Sequence, residues 1–194
     1  MNADPPSPRS SPAADSTDTV RRHVVDVAAE LMRSTAANDF TSDVSDQTAM
    51  NLYLALLTDR LPILARALVD LMAKVGEATV EENLIPVAHT TVEFYSGILV
   101  PKLSVINKPD QLIQLRRALK ARNFGPQRVY GRIAAYLEEE RDLGRTPPDL
   151  DCDASAQLLL GACVNYGFTQ LLLGDVQPLD EFVELAVRGL RLSP

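Results

Sequence analysis

The sequence predicts an all-α fold, and three observations lead to that prediction. Apolar residues recur at helical spacing in successive segments, and the first such set is Val20, Val24, Val27, Ala28 and Leu31. Residues that start or stop helices stand between these segments. No segment shows the sustained alternation of apolar and polar residues that would indicate a strand. The 194 residues therefore suit one helical domain with a small helical head.

The N-terminal part of the chain is expected to contain a tail and this head. Residues 1–16 are rich in Pro, Ser, Ala and Asp, and they carry too little apolar surface to fold, so we expect a disordered tail. Residues 17–60 are expected to form the head, whose second helix starts near Val44 or Asp46. Because proline lacks an amide hydrogen, Pro62 is expected to start or kink the next helix.

Clear signals mark the helices in the middle of the chain. Thr79 and Glu82 form a capping box, in which Thr79 is the N-cap and Glu82 the third helical residue. Pro101 is expected to end or kink the helix that this box opens. Pro109 suits the first turn of the next helix, and Gly125–Pro126 opens the one after it.

The two C-terminal helices are more apolar than a simple surface position requires. Residues 154–174 contain no charged side chain in 21 positions, and Asp151 or Asp153 caps their helix, while Pro178 starts the last one. The charge-free segment has three interpretations. It could be a membrane span, a fully buried central helix, or a helix that packs on its own core with one face and on a partner with the other. Internal polar residues and terminal acids count against a membrane, and we expect a twofold dimer instead. Its interface is predicted at Leu158, Ala162, Tyr166, Phe182 and Leu185.

The composition narrows the class of protein. Apolar residues make up 46%, charged residues 23%, and the formal net charge is −7, which counts against nonspecific binding of nucleic acid. The two cysteines, Cys152 and Cys163, fit neither a zinc site nor a disulfide framework, so we expect a reduced, cytoplasmic setting without a metal or cofactor. No signal peptide is visible. The absence of GxSxG, HExxH, P-loop and GxGxxG motifs predicts that the protein is not an enzyme.

Several short motifs follow one another in a defined order. These are Thr58–Pro62, Val75–Asn83, a helix with Glu-rich turns that exits through Leu143–Arg145, a Pro-Asp-Leu-Asp loop, and an Ala/Leu-rich helix with Leu160–Ala162. In this order they resemble the effector and dimerisation domain of TetR-family transcriptional regulators, over about Asp46 to Leu192. The resemblance implies a homodimer in which residues 61–194 bind a small-molecule effector and dimerise. Effector binding would then alter DNA binding by an N-terminal helix-turn-helix.

Candidate ligand contacts lie in the part of the chain that would line such a cavity. They are His89, Phe94, Tyr95, Tyr130, Asn165 and Tyr166, and their aromatic character predicts a small, largely apolar ligand. A hydrogen-bonded histidine and aromatic residues at helical spacing are equally compatible with a plain core, so both interpretations stay open.

A basic stretch lies between Gln111 and Leu137, which includes six basic residues and no acid. They are Arg116, Arg117, Lys120, Arg122, Arg128 and Arg132. A solvated surface paired with the glutamates at 138–140 is the default interpretation, and an anionic ligand or partner and nucleic acid are the alternatives.

The head departs from the family pattern where DNA would be read. The helix Val20–Met32 resembles the first family helix, and Asn51–Leu57 resembles the fourth. Roughly 20 residues must separate them to hold two short helices and a turn, whereas residues 34–45 provide 12. The segment also carries four acids and no base between Arg33 and Arg60. The remaining candidate DNA contacts are Arg21, Arg22, Thr41, Ser42, Ser45 and Thr48.

Two hypotheses about function follow. The first is a TetR-like homodimeric transcriptional regulator that senses a small ligand. The second is a regulator-derived module that binds a ligand or a protein and has lost DNA binding.

Overall fold

The computed structural model describes residues 42–106, 108–121 and 125–194, and these ranges are all-α. The helices are α1 (Ser42–Met72), α2 (Val80–Ile106), α3 (Pro109–Ala121), α4 (Pro126–Asp142), α5 (Cys152–Leu173) and α6 (Leu179–Arg188). No strand occurs in the described ranges, and the predicted fold class is confirmed. The expected tail at 1–16, the helix Val20–Met32 and the candidate DNA contacts Arg21, Arg22 and Thr41 lie outside the described residues.

Helix α2 is the centre of the packing. It contacts α1 most extensively and also packs against α5, α6 and α3, while α4 packs against α5 and α1. The buried side chains of α2 recur at helical spacing; they include Leu84, Val87, Ala88, Thr91, Val92, Tyr95 and Ile98. Each large apolar side chain buried here contributes about 2 kcal/mol. This packing explains why α2 continues past Pro101 to Ile106, where we expected an end or a kink.

Helix α1 runs from Ser42 to Met72 and includes Pro62. The expected new helix start at this proline is therefore wrong, and the expected boundary between residues 60 and 61 falls inside one helix. Leu57 and Leu64 are buried on either side of Pro62 and hold the helix to the core. Pro62 leaves the Thr58 carbonyl without its usual amide donor, but both residues are exposed, so water can satisfy that carbonyl.

The capping signals read from the sequence are confirmed. Thr79 Oγ1 accepts a hydrogen bond from the Glu82 amide at 3.1 Å, and the Glu82 carboxylate accepts one from the Thr79 amide at 3.0 Å. Asp151 caps α5 by accepting a hydrogen bond from the Ala154 amide at 2.9 Å. The helix ends at Gly174, whose φ of 74° is in the region that favours glycine.

A buried carboxylate joins the α1–α2 turn to the α4–α5 loop. Glu140 on α4 is 0% exposed, and it accepts hydrogen bonds from the Gly76 amide at 2.9 Å and from Arg145 Nε. The Arg145 guanidinium also donates to the backbone carbonyls of Glu77 and Ala78. The sequence placed residue 140 in a solvated acidic run, which is wrong because α4 turns this position toward the core.

Asn83 holds the same turn from the start of α2. Its side-chain amide donates to the carbonyl oxygens of Lys74 and Glu77 and to the Tyr136 hydroxyl. The turn includes Ala78 at a φ of 42°, a left-handed conformation that costs a non-glycine residue roughly 1 kcal/mol. Side chains from α2 and α4 therefore fix a turn whose backbone alone would not favour this shape.

Replacement of the buried carboxylate should destabilise the fold. Glu140→Gln keeps the size of the side chain and removes the charge that Arg145 and the Gly76 amide contact. We expect a loss of about 2 kcal/mol in the free energy of unfolding, measured by urea denaturation, because hydrogen bonds to a charged group are lost. Glu139→Gln is the matched control, since Glu139 is exposed on the same helix. Equal urea midpoints for the two variants would refute the role of the carboxylate.

Candidate functional site

Helix α5 exposes one apolar stripe along its length. The stripe consists of Ala154, Leu158, Gly161, Asn165, Phe168 and Leu172, all exposed. Their spacing alternates between four and three residues, which is the repeat of helices that pack side by side. Leu158 is 68% and Leu172 is 65% exposed, and exposed apolar side chains that share one helix face can mark an interaction surface. We call these six residues the α5 stripe.

The opposite face of α5 is buried in the protein. Leu159, Cys163 and Gly167 on this face are buried, and α5 packs against α2, α4 and α6. A Cβ on Gly167 would overlap the Ser96 side chain, so the glycine permits the close contact with α2. By length and composition alone α5 could also cross a membrane, but the core helix of a globular protein passes the same test.

The expected interface residues occupy different environments. Leu158 and Leu185 are exposed, and Ala162 and Phe182 are half-buried. Tyr166 is buried inside the protomer: its ring lies 4.5 Å from the Phe182 ring, and its hydroxyl donates to the carbonyl of Gln177 at 2.8 Å. Tyr166 and Phe182 therefore hold α6 against α5 within one chain.

The candidate ligand residues on α2 lie in two places. His89 Nε2 lies 3.4 Å from Asp180 Oδ1 on α6. Phe94 and Tyr95 form an edge-to-face pair with centroids 5.1 Å apart. Phe94 lines a groove with Arg60, but its volume of about 60 Å³ is far below that of a typical ligand site.

The Tyr95 hydroxyl is a buried polar group that no described residue satisfies by a hydrogen bond. Burial raises the pKa of this hydroxyl, and the nearby Tyr53 and Cys163 raise it further. Tyr95 is thus a neutral donor on the face of α2 that packs in the core.

The remaining candidate ligand residues lie elsewhere. Asn165 and Tyr166 line a cleft of about 320 Å³ between α5 and α6, together with Phe182. Tyr130 on α4 is half-buried against the core. The six candidate residues therefore do not meet in one cavity among the described residues. Of the candidate DNA contacts, Ser42, Ser45 and Thr48 lie in the first two turns of α1.

Two further grooves flank α1, and the sequence analysis did not anticipate them. One of about 480 Å³ lies between the end of α1 and the start of α2 and is lined by Asp70, Lys74 and Glu77 above Leu71 and Val87.

The other groove, of about 320 Å³, lies between α1 and α4. Its lining is Leu61, Leu64, Ala65, Leu68, Val69, Arg128, Val129 and Arg132, and we call it the α1–α4 groove. The sequence does show two arginines four residues apart on α4. That they lie beside leucines of α1 depends on how the two helices pack, which the sequence pattern does not give.

Metal and thiol chemistry find little support in the described ranges. No three His, Cys, Asp or Glu side chains come together there as metal ligands. Cys152 and Cys163 are both buried and free. Burial raises the pKa of the Cys152 thiol and raises that of Cys163 to about 12.

Comparisons of the chain with protein-family models, with curated proteins and with solved structures find no match in any of the three. The likeness to TetR-family regulators therefore stays a prediction from the sequence motifs.

The raised pKa predicts an inert thiol at Cys163. At pH 8 the thiolate fraction should be about a thousandfold lower in the folded than in the unfolded protein. Iodoacetamide labelling, followed by peptide mass spectrometry, should therefore modify Cys163 only after urea is added. Rapid labelling of the folded protein would contradict this. Because folding raises the pKa, the associated stability is complete below pH 9 and is lost as pH rises toward 12.

Proposed function

We propose that the protein is a TetR-like, homodimeric regulator that responds to a small ligand. The observation that carries this proposal is the α5 stripe, which supports pairing with a second copy. The stripe has no charged residue and presents leucine and phenylalanine beside two small residues. The small residues allow a partner helix to approach closely, and the large ones supply the apolar area that is removed from water.

A second copy is the partner that this geometry favours. A twofold axis brings the same stripe from each chain together. The leucines of one stripe would then pack against the apolar residues of the other. Asn165 is the one polar member of the stripe, and an asparagine at such a position selects register and oligomeric state. The exposed Leu185 on α6 extends the apolar surface of the helix pair.

Charge on the stripe should separate the subunits. Leu158→Glu and Leu172→Glu, singly, are expected to convert a dimer into a monomer at micromolar concentration, measured by light scattering after size exclusion. Ile63→Glu is the control, because Ile63 is 61% exposed on α1, which packs against α2, α3 and α4. A wild-type monomer, or stripe variants that stay dimeric, would contradict the proposed interface.

The grooves beside α1 support the ligand-binding part of the proposal. The larger two have volumes of about 480 and 320 Å³, within the range of small-molecule sites. Helix α1 forms one side of both, and its residues 42–60 belong to the predicted N-terminal head. A ligand that changed the packing of α1 would therefore act on the part of the chain where a regulator reads DNA.

The second candidate function is a ligand- or protein-binding module that does not read DNA, and one observation favours it. Helix α1 begins at Ser42, while the predicted first helix ends at Met32, so nine residues (33 to 41) lie between them. Two short helices and a turn need roughly 20 residues. The early start of α1 thus leaves less room for a recognition helix than the sequence pattern suggested.

DNA binding separates the two candidates. A regulator should bind a labelled duplex from upstream of its own coding region, with affinity that falls steeply between 50 and 200 mM salt, about a thousandfold for six phosphate contacts. The module should give no anisotropy change even at 50 mM salt. Arg21→Gln with Arg22→Gln is the informative variant, since these are the arginines among the candidate contacts. Unchanged binding by that variant would remove both from the DNA-binding surface.

A further inference from the structure

We infer that the α1–α4 groove binds an amphipathic anion, namely a single medium-length alkyl chain that ends in a carboxylate. This inference deepens the ligand-binding part of the proposed function and rests on it, but it depends on neither dimerisation nor DNA binding. It names the site and the chemistry of the ligand, and neither follows from the aromatic residues that the sequence singled out.

The floor of the groove suits an alkyl chain. Leu64, Leu68 and Val129 form it with buried side chains. At its edge Val69 is 61% exposed, and the small Ala65 beside it leaves space between α1 and α4. An alkyl chain in this space would remove Val69 from water and cover the leucines, and each buried methylene should tighten binding about fourfold.

The rim of the groove suits a carboxylate. Arg128 and Arg132 are exposed and four residues apart, so they lie on one face of α4 beside the apolar floor. None of the residues that line the groove is acidic. Arg132 makes no hydrogen bond or ion pair with the described residues, whereas Arg128 has an interaction within the chain. Arg132 is therefore the principal cation for a ligand, in the fork geometry that matches a carboxylate.

The start of α4 adds to this positive potential. Its first turn contains Arg128 and no acid, and its N-cap, Gly125, offers no side-chain acceptor to the first amides. The chain as a whole is acidic at −7, yet its residues 111–137 contain six bases and no acid. The lining of the groove carries two arginines and no acid, in contrast to the acidic chain as a whole, and this favours one anionic headgroup at the site.

Ligands of equal chain length and different headgroup test the inference. Decanoate, decanol and decyltrimethylammonium, each below its micelle concentration, are titrated into the full chain by calorimetry. Decanoate should bind at least tenfold more tightly than the other two, and dodecanoate more tightly than decanoate. Equal affinity for decanol and decanoate would overturn the role of the arginines. Binding only to anionic lipid vesicles, without binding of monomeric decanoate, would overturn the groove as a site for a free ligand.

Matched variants locate the site. Arg132→Gln should weaken decanoate binding at least tenfold, and Arg117→Gln, an exposed arginine of α3 outside the groove, should not. Val69→Glu places a carboxylate at the groove edge and should abolish binding, whereas Ile63→Glu, equally exposed on α1 but outside this groove, should leave it intact. Circular dichroism confirms that each variant folds. Unchanged binding by both Arg132→Gln and Val69→Glu would overturn the inference.

The same titration on Leu158→Glu separates this inference from the proposed dimer. The α5 stripe does not line the groove, so a monomeric variant should still bind decanoate. If the wild-type protein does not dimerise but binds decanoate, the ligand site is supported and the proposed dimer is contradicted. If the protein dimerises but does not bind decanoate, the dimer is supported and the proposed ligand site is contradicted.

Discussion

The ion pair between Glu140 and Arg145 joins the α4–α5 loop to the turn between α1 and α2. A carboxylate at 0% exposure is costly to bury, and it is tolerated here because Arg145 and the Gly76 amide both donate to it. The same arginine reaches the turn before α2, and Asn83 contacts that turn from α2 itself. The positions of α1, α2 and α4 thus depend on one polar cluster, and the α1–α4 groove depends on their positions.

The consequence for α5 is a helix with two different apolar faces. One face completes the core against α2 and α4, and the other is the α5 stripe. A helix that is apolar all round has to be covered on all sides, by its own core, a partner or lipid. Helices α2, α4 and α6 pack on the other side of α5, so the stripe stays exposed within the part of the chain that the structure describes. The pairing proposed for α5 would cover this exposed stripe.

The sequence predicted those features of the fold that depend on local chemistry. The capping box at Thr79 and the Asp151 cap are set by residues three positions apart. The box was predicted correctly, and Asp151 is one of the two caps predicted for α5. The helix start expected at Pro62 was wrong because the helix is held by leucines that pack on distant helices, which outweighs a missing hydrogen bond. The burial of Glu140 had no local signal. The grooves were not predictable for the same reason, since their residues come from helices that are far apart in sequence.

The distribution of charge bears on which anion the chain can bind. A duplex presents a long row of phosphates and requires many cations along its contour. The segment 34–59 carries four acids and no base, which opposes that contact. A single carboxylate needs one or two arginines and gains the rest of its affinity from apolar contact. Arg128 and Arg132 beside the leucines of α1 provide that combination. The charges that line the α1–α4 groove thus match the proposed small amphipathic anion.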